Sequence, residues 1–158
     1  MVAREDGMMA SSTPASENAE MGRVMTTARI TNLYDLLKVN EGLVDADDVR
    51  SIDVELLVDT GATLLSLPKD LIDRLGLNQI AEKRVTTAAG EVTRRVFGAV
   101  RVVIMDRDAT IDVMEVPPGV PPLLGYVPLE LLDLVPNPKS GRLEGNPAHN
   151  GEYILDQL

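Results

Sequence analysis

The chain has 158 residues, 44% of them hydrophobic, and a formal net charge of −10, which gives room for one domain with a real core plus some tail. With one Phe, three Tyr and no Trp the core must be aliphatic, and neither the stacking rings nor the positive field of a nucleic-acid surface is present. Cysteine is absent, which excludes disulfides, thiolate metal sites and a cysteine nucleophile.

Residues 1–20 are small and polar, with Ser11, Ser12, Thr13 and Pro14 and no hydrophobic period, and they read as a disordered tail. Arg4, Glu5, Asp6, Glu17 and Glu20 leave no apolar core for a secretory leader, and no apolar run in the chain reaches the length of a membrane span. A soluble, cytoplasmic protein is expected. The structured chain is expected to start at Met21, with a first strand from Arg23 to Ile30 and a turn at Thr31-Asn32. Leu33, Leu36 and Leu37 have helical spacing, and Asp45, Asp47 and Asp48 lack the glycine and glutamate of a calcium loop, so they read as a solvated connection.

Val54-Glu55-Leu56-Leu57-Val58 is an apolar run that drives into Asp59 and stops at Thr60-Gly61-Ala62-Thr63. A buried strand delivers an acid to a cleft floor in this way. Thr60 brings a hydroxyl that donates and accepts, and Gly61, without a Cβ, lets another backbone approach. Leu64, Leu65 and Leu67 follow at once, a density of apolar residues that a solvent-exposed turn does not have.

From Ser66 to Leu77 the sequence predicts a short helix, with Ser66 or Leu67 as cap, Pro68 at its first position and Gly76 as stop. Arg84 to Arg95 reads as a β-hairpin tipped by Ala88-Ala89-Gly90, with Arg94 and Arg95 solvated. Two strands, Val96–Met105 and Thr110–Val116, are expected on either side of a turn at residues 106–109. Pro117, Pro118, Pro121 and Pro122 block regular structure up to Leu123-Leu124-Gly125. A buried helix is expected over Tyr126–Leu134, then a loop at 136–141 and a last strand at Arg142–Glu144.

Three of these features, Leu57-Val58-Asp59-Thr60-Gly61-Ala62, the hairpin tip at Ala89-Gly90, and Leu123-Leu124-Gly125 before a helix, stand in the order of a retropepsin-type aspartic protease. The chain from 21 to 145 resembles that family, the single-lobe homodimeric relatives of pepsin, in a bacterial-type version. The resemblance implies an all-β, closed-barrel fold with one or two short helices, in which each of two copies supplies half an active site. It makes Asp59 the catalytic carboxylate, has Thr60 link the two loops across the dimer axis, and places Gly61 along the substrate backbone. Ala62, Thr63, Ala89, Gly90, Leu124 and Gly125 become substrate-binding positions. Where retroviral members carry an acid two residues after the loop glycine, this chain has Thr63.

The implied chemistry is peptide-bond hydrolysis by water. Two carboxylates within hydrogen-bond distance share one proton, so one acts as base toward the water and the other as acid toward the carbonyl oxygen. The tripeptide occurs once, so the second acid comes from another copy of the chain. No cofactor or metal is implied, and the expected partners are a second copy and a polypeptide, not nucleic acid or membrane. Residues 146–158 are expected to form a C-terminal tail whose Tyr153-Ile154-Leu155 patch is available to a partner or to the body.

A different class of reading keeps the fold as a non-catalytic, peptide-binding dimer. A metal-dependent hydrolase is disfavoured because His149, the sole histidine, sits in a polar tail and reads as exposed. Ser66 and Ser140 lack a histidine base for a triad.

Overall fold

Alternating apolar and polar residues set about half of the described residues in strands. The computed structural model describes residues 22–157, so the expected tail over 1–20 and the start at Met21 lie outside the described residues. In order come β1 (Met25–Asn32), α1 (Leu33–Asn40), β2 (Ser51–Val58), β3 (Leu65–Pro68), α2 (Lys69–Leu75), β4 (Asn78–Thr87), β5 (Gly90–Ile104), β6 (Arg107–Val116), β7 (Leu123–Leu124), α3 (Tyr126–Leu132), β8 (Leu134–Asn137) and β9 (Arg142–Gly145). The protein is mostly β with few helices, as expected, but the α-helices among the described residues number three rather than one or two, because the Asn32 cap lets Leu33–Asn40 form a helix of its own. None of the described helices is long and apolar enough to cross a membrane.

Among the described residues, seven strands form one sheet in the order β1-β2-β7-β3-β6-β5-β4, and β1 pairs a second time with β5. β8 and β9 form a separate antiparallel pair. The two-residue β7 sits parallel to β2 and antiparallel to β3. It joins the acid-bearing strand to β3.

The core is aliphatic, as the composition requires: Ile30, Leu56, Leu65, Leu67, Ile72, Leu75, Ile104, Leu124 and Leu132 are all sealed from solvent. Each such side chain contributes about 1.5–3 kcal/mol of transfer free energy. Two polar groups are buried with them at the edge. Asn32, 2% exposed, caps α1 by accepting from the Asp35 N–H at 3.1 Å and donates to the Leu75 carbonyl at 2.7 Å. Asp35 accepts from the Arg50 backbone N–H and from its Nε, both at 2.9 Å. The Arg50 guanidinium, with that backbone bond, outweighs the burial that would raise the carboxyl and holds it below the usual carboxylate range.

Three expectations are corrected. Residues 65–68 form a strand, not a helix entry, because each of their neighbours β7 and β6 offers a ladder edge; α2 starts at Lys69 without a side-chain cap. The turn between β5 and β6 is only Met105-Asp106, both at positive φ (52° and 64°), the two-residue geometry that matches strand twist. That tight turn puts Arg107 and Asp108 in the ladder, paired with Ile104 and Val103. Residues 134–137 are strand β8 because β9 folds back on them.

Candidate active site

β2 turns Ile52 and Leu56 to the core and Asp53 and Glu55 to solvent. Its last amides and that of Asp59 are held by two segments: Leu57 N–H donates to Pro122 O at 3.0 Å and Asp59 N–H to Leu124 O at 2.9 Å on one side, and Val58 N–H to Val24 O at 2.9 Å on the other. The backbone that carries the acid is thereby fixed from both sides. Asp59 then begins a turn, its carbonyl accepting from the Ala62 N–H at 3.0 Å and its carboxylate Oδ1 from the Gly61 N–H at 2.9 Å. This is the local side-chain-to-backbone bond that Asp makes in turns.

A Cβ on Gly61 would stand 3.2 Å from the same Oδ1, so glycine leaves the carboxylate unhindered. The exit of the loop is held by the start of α3. Gly125, Tyr126 and Val127 donate to the carbonyls of Leu64 (3.0 Å), Ala62 (2.9 Å) and Thr63 (3.1 Å). Amides at a helix start have no partner within the helix, and here the acid loop supplies one for each of three. A Cβ on Gly125 would lie 2.5 Å from Leu64 O and 2.6 Å from Ala62 O, so only glycine admits the clamp.

A cleft of about 760 Å³ opens between this loop and the β4–β5 hairpin. Asp59, Gly61, Ala62, Thr63, Leu64 and Ser66 line one side, and Arg84, Val85, Thr86, Thr87, Ala88 and Arg94 the hairpin side. Met114, Val116, Pro117, Val120 and Leu123 complete it. Asp59 is the one carboxylate among these residues.

A family model described as aspartyl protease matches residues 44–126, more than half of the chain. That span takes in the acid loop, the hairpin and Gly125. The chain belongs to the retropepsin-like aspartyl protease family. No curated protein matches it.

Of the positions expected in this protease's site, Asp59, Gly61, Ala62 and Thr63 meet in the cleft. Thr60 is exposed beside it and outside the lining. Ala89 sits in the hairpin turn and Gly90, with φ +111°, opens β5 opposite Thr87; both lie outside the cleft, which Thr87 and Ala88 line instead. The tip is tied by Thr87, whose Oγ1 donates to Gly90 O at 2.9 Å and accepts from the Ala89 N–H at 3.2 Å. Leu124 is fully buried and serves the site through its carbonyl on Asp59, while Leu123 faces the cleft. Gly125 acts through the clamp.

Sequence reasoning missed Ser66, Arg84, Arg94, Met114 and Leu123 as lining residues. A lone polar residue between two core leucines, as in Leu65-Ser66-Leu67, was the available signal for the first. Arg95, by contrast, is held by Glu115 in a two-point ion pair at 2.6 and 2.9 Å.

His149 is not the exposed residue its polar surroundings led one to expect. Its side chain is 14% exposed, with Nδ1 2.6 Å from Asp133 Oδ2 and Nε2 3.1 Å from Asp156 Oδ1. Asp133 caps α3 at φ 54° and also accepts from Asn146 Nδ2 and the Ile154 N–H. The Asp133 hydrogen bond, reinforced by both carboxylates, raises the His149 pKa against a smaller effect of burial. Burial pushes Asp133 up, but its bonds from His149, Asn146 and Ile154 prevail and leave it low. Arg107 completes the corner, donating to the carbonyls of Leu132 (3.1 Å), Asp133 (2.6 Å) and Gly151 (2.6 Å). The segment after β9 is thus strapped to the body far along the chain from the acid loop.

Proposed function

We propose that this protease is an aspartic endopeptidase whose working unit is a twofold dimer, with Asp59 of each copy forming the catalytic pair. The observation that carries the reading is the single carboxylate in the cleft, oriented by the Gly61 N–H and offered no second acid by its own chain there. Two copies meeting at their acid loops supply the pair, and the exposed Thr60 hydroxyls are available to tie the loops together. A closed barrel, for which the double pairing of β1 with β2 and β5 speaks, gives the loop a rigid base. The catalytic unit in this reading spans 21–145, and the protein works in the cytoplasm.

In the pair, one carboxylate is ionised and one protonated, because two adjacent negative charges are costly; aspartic proteases are the reference case of this behaviour. The ionised Asp59 takes a proton from water as the water oxygen bonds to the scissile carbonyl carbon. Asp59 of the second copy gives its proton to the carbonyl oxygen, forming a gem-diol. Proton transfer to the amide nitrogen then lets the C–N bond break, releasing an amine and a carboxylic acid and restoring the shared proton. Gly61, Ala62 and Thr63 on the loop, with Thr87 and Ala88 of the hairpin, hold the extended peptide.

The test is Asp59→Asn. The variant is expected to fold and sediment as the wild type does while losing hydrolysis of an unstructured polypeptide, and mixed with excess it should poison the wild type through inactive heterodimers. Turnover at the wild-type rate by the variant, or cleavage by a strictly monomeric wild type, refutes the pair. Activity is expected at mildly acidic to neutral pH, and a profile still rising above pH 9 counts against a shared proton.

A further inference from the structure

Register aligns the polar groups of the cleft. Ser66 is the Cα partner of Leu123 on one side and of Met114 on the other, and Met114 is the partner of Val96. Paired residues in a ladder point to the same face, so Leu123, Ser66, Met114 and Val96 form one row across four strands. Arg94 stands two residues before Val96, on the same face in the next row. It lies on the inward side of the hairpin with Val85 and Val92, half-buried like them.

Two polar groups of this face are unspent. Ser66 is 4% exposed, lines the cleft, and its hydroxyl has no hydrogen-bond partner among the described residues. A buried hydroxyl without a partner is unfavourable and marks a place where a ligand atom fits. Arg94 has no carboxylate partner among the described residues either. Its neighbour Arg95 occupies Glu115, and Arg84, the other cation of the cleft, faces Glu91 at 3.8 Å. Between the hydroxyl and the guanidinium the lining is apolar, with Met114, Val116 and Leu123.

We propose that Ser66 and Arg94 form a subsite that takes the carboxylate of a Glu or Asp side chain in the substrate, an assignment that rests on the peptidase reading of the cleft. Both groups donate, and apart from Asp59 no charged acceptor competes in the cleft. In a chain of net charge −10 a cation held on the inner face of the hairpin selects an acidic segment that the remaining surface repels. An uncharged isostere leaves the guanidinium desolvated without a counter-charge, which makes the site discriminate between Glu and Gln.

The experiment uses the full chain and a set of acetylated, amidated dodecapeptides of Ala, Leu, Ser and Val in which a single Gln, Glu or Lys is walked through every position. Capping removes the terminal carboxylate as a second source of the same chemistry. At one position Glu is expected to exceed Gln in kcat/KM by about tenfold, as a charge-assisted bond implies. That ratio should collapse toward unity in Arg94→Gln, shrink several-fold in Ser66→Ala, and turn into a preference for Lys in Arg94→Glu. The same pairs are titrated by fluorescence anisotropy against Asp59→Asn, where the Kd ratio should follow the same pattern. Cleavage without a Glu preference at any position, or a preference that survives Arg94→Gln, overturns the subsite and leaves the peptidase intact. Absence of cleavage with Glu-selective binding overturns the peptidase reading and keeps the subsite; binding without discrimination overturns the subsite.

Discussion

Gly125→Ala tests the clamp that holds the acid loop. The added methyl would meet Leu64 O at 2.5 Å, Ala62 O at 2.6 Å and the Thr63 carbonyl carbon at 2.7 Å, all backbone atoms that cannot swing away. Relief requires the loop and the start of α3 to separate by about 1 Å, which carries bonds now at 2.9–3.1 Å past hydrogen-bonding range. Three such bonds at about 1 kcal/mol each, less about 0.5 kcal/mol gained from a stiffer unfolded chain, give a net loss of about 2–3 kcal/mol. In a domain of this size the melting midpoint falls by about 10 °C. Gly61→Ala is the matched comparison, because its methyl meets only the Asp59 side chain, at 3.2 Å. It should leave the unfolding free energy in urea within about 0.5 kcal/mol of wild type and lower kcat/KM about tenfold by displacing the carboxylate. Urea unfolding and peptide hydrolysis on both variants separate the two effects. A Gly125→Ala protein with the wild-type midpoint, or a Gly61→Ala protein that is the less stable of the two, refutes the reasoning.

Asn32→Ala removes the α1 cap and orphans the buried Leu75 carbonyl, at a cost of about 2–3 kcal/mol in urea unfolding, whereas Asn32→Asp keeps the acceptor but not the donor and should also fall below wild type. For the C-terminal strap the sign follows from the raised His149 pKa: its contribution is fully present below the ordinary imidazole value of about 6.5 and is lost as pH climbs through the higher folded value. Hydrogen exchange of residues 146–156 should therefore quicken from pH 6 to pH 9 beyond the intrinsic rate increase, and His149→Gln should abolish that excess. Asp133, held low, gives way only in acid, so no second loosening is expected in the same window.

The acid loop was legible because its signal is local. A β-branched run ending in Asp-Thr-Gly-Ala needs only its own residues to announce a strand that stops at a turn, and β2 ends at Val58 as that pattern requires. β3 and the cleft face of Ser66 were not legible, because Leu65-Ser66-Leu67-Pro68 is also a good helix entry. The choice was made by β6 and β7, which lie far along the chain and leave ladder edges on both sides. His149 was misjudged for the same reason. Its tail is polar by composition, and what buries it is the αL cap at Asp133 together with Arg107, none of which is near it in sequence.

The site therefore divides into a part the single chain completes and a part it leaves open. Orientation is complete: the Asp59 amide, its carbonyl and one carboxylate oxygen are all bonded within the chain, and the loop exit is fixed to α3 by three amides. The proposed chemistry is not, since it needs a second acid to protonate the carbonyl oxygen and the remaining lining of the cleft supplies hydroxyls, guanidinium groups and apolar side chains. Rigid presentation of half a reaction is what twofold assembly requires, because a loop that reorganised on association would spend the binding free energy of the dimer on ordering itself. In the proposed dimer the clamp centred on Gly125 thus serves catalysis as much as folding, because it fixes the acid before the second copy arrives.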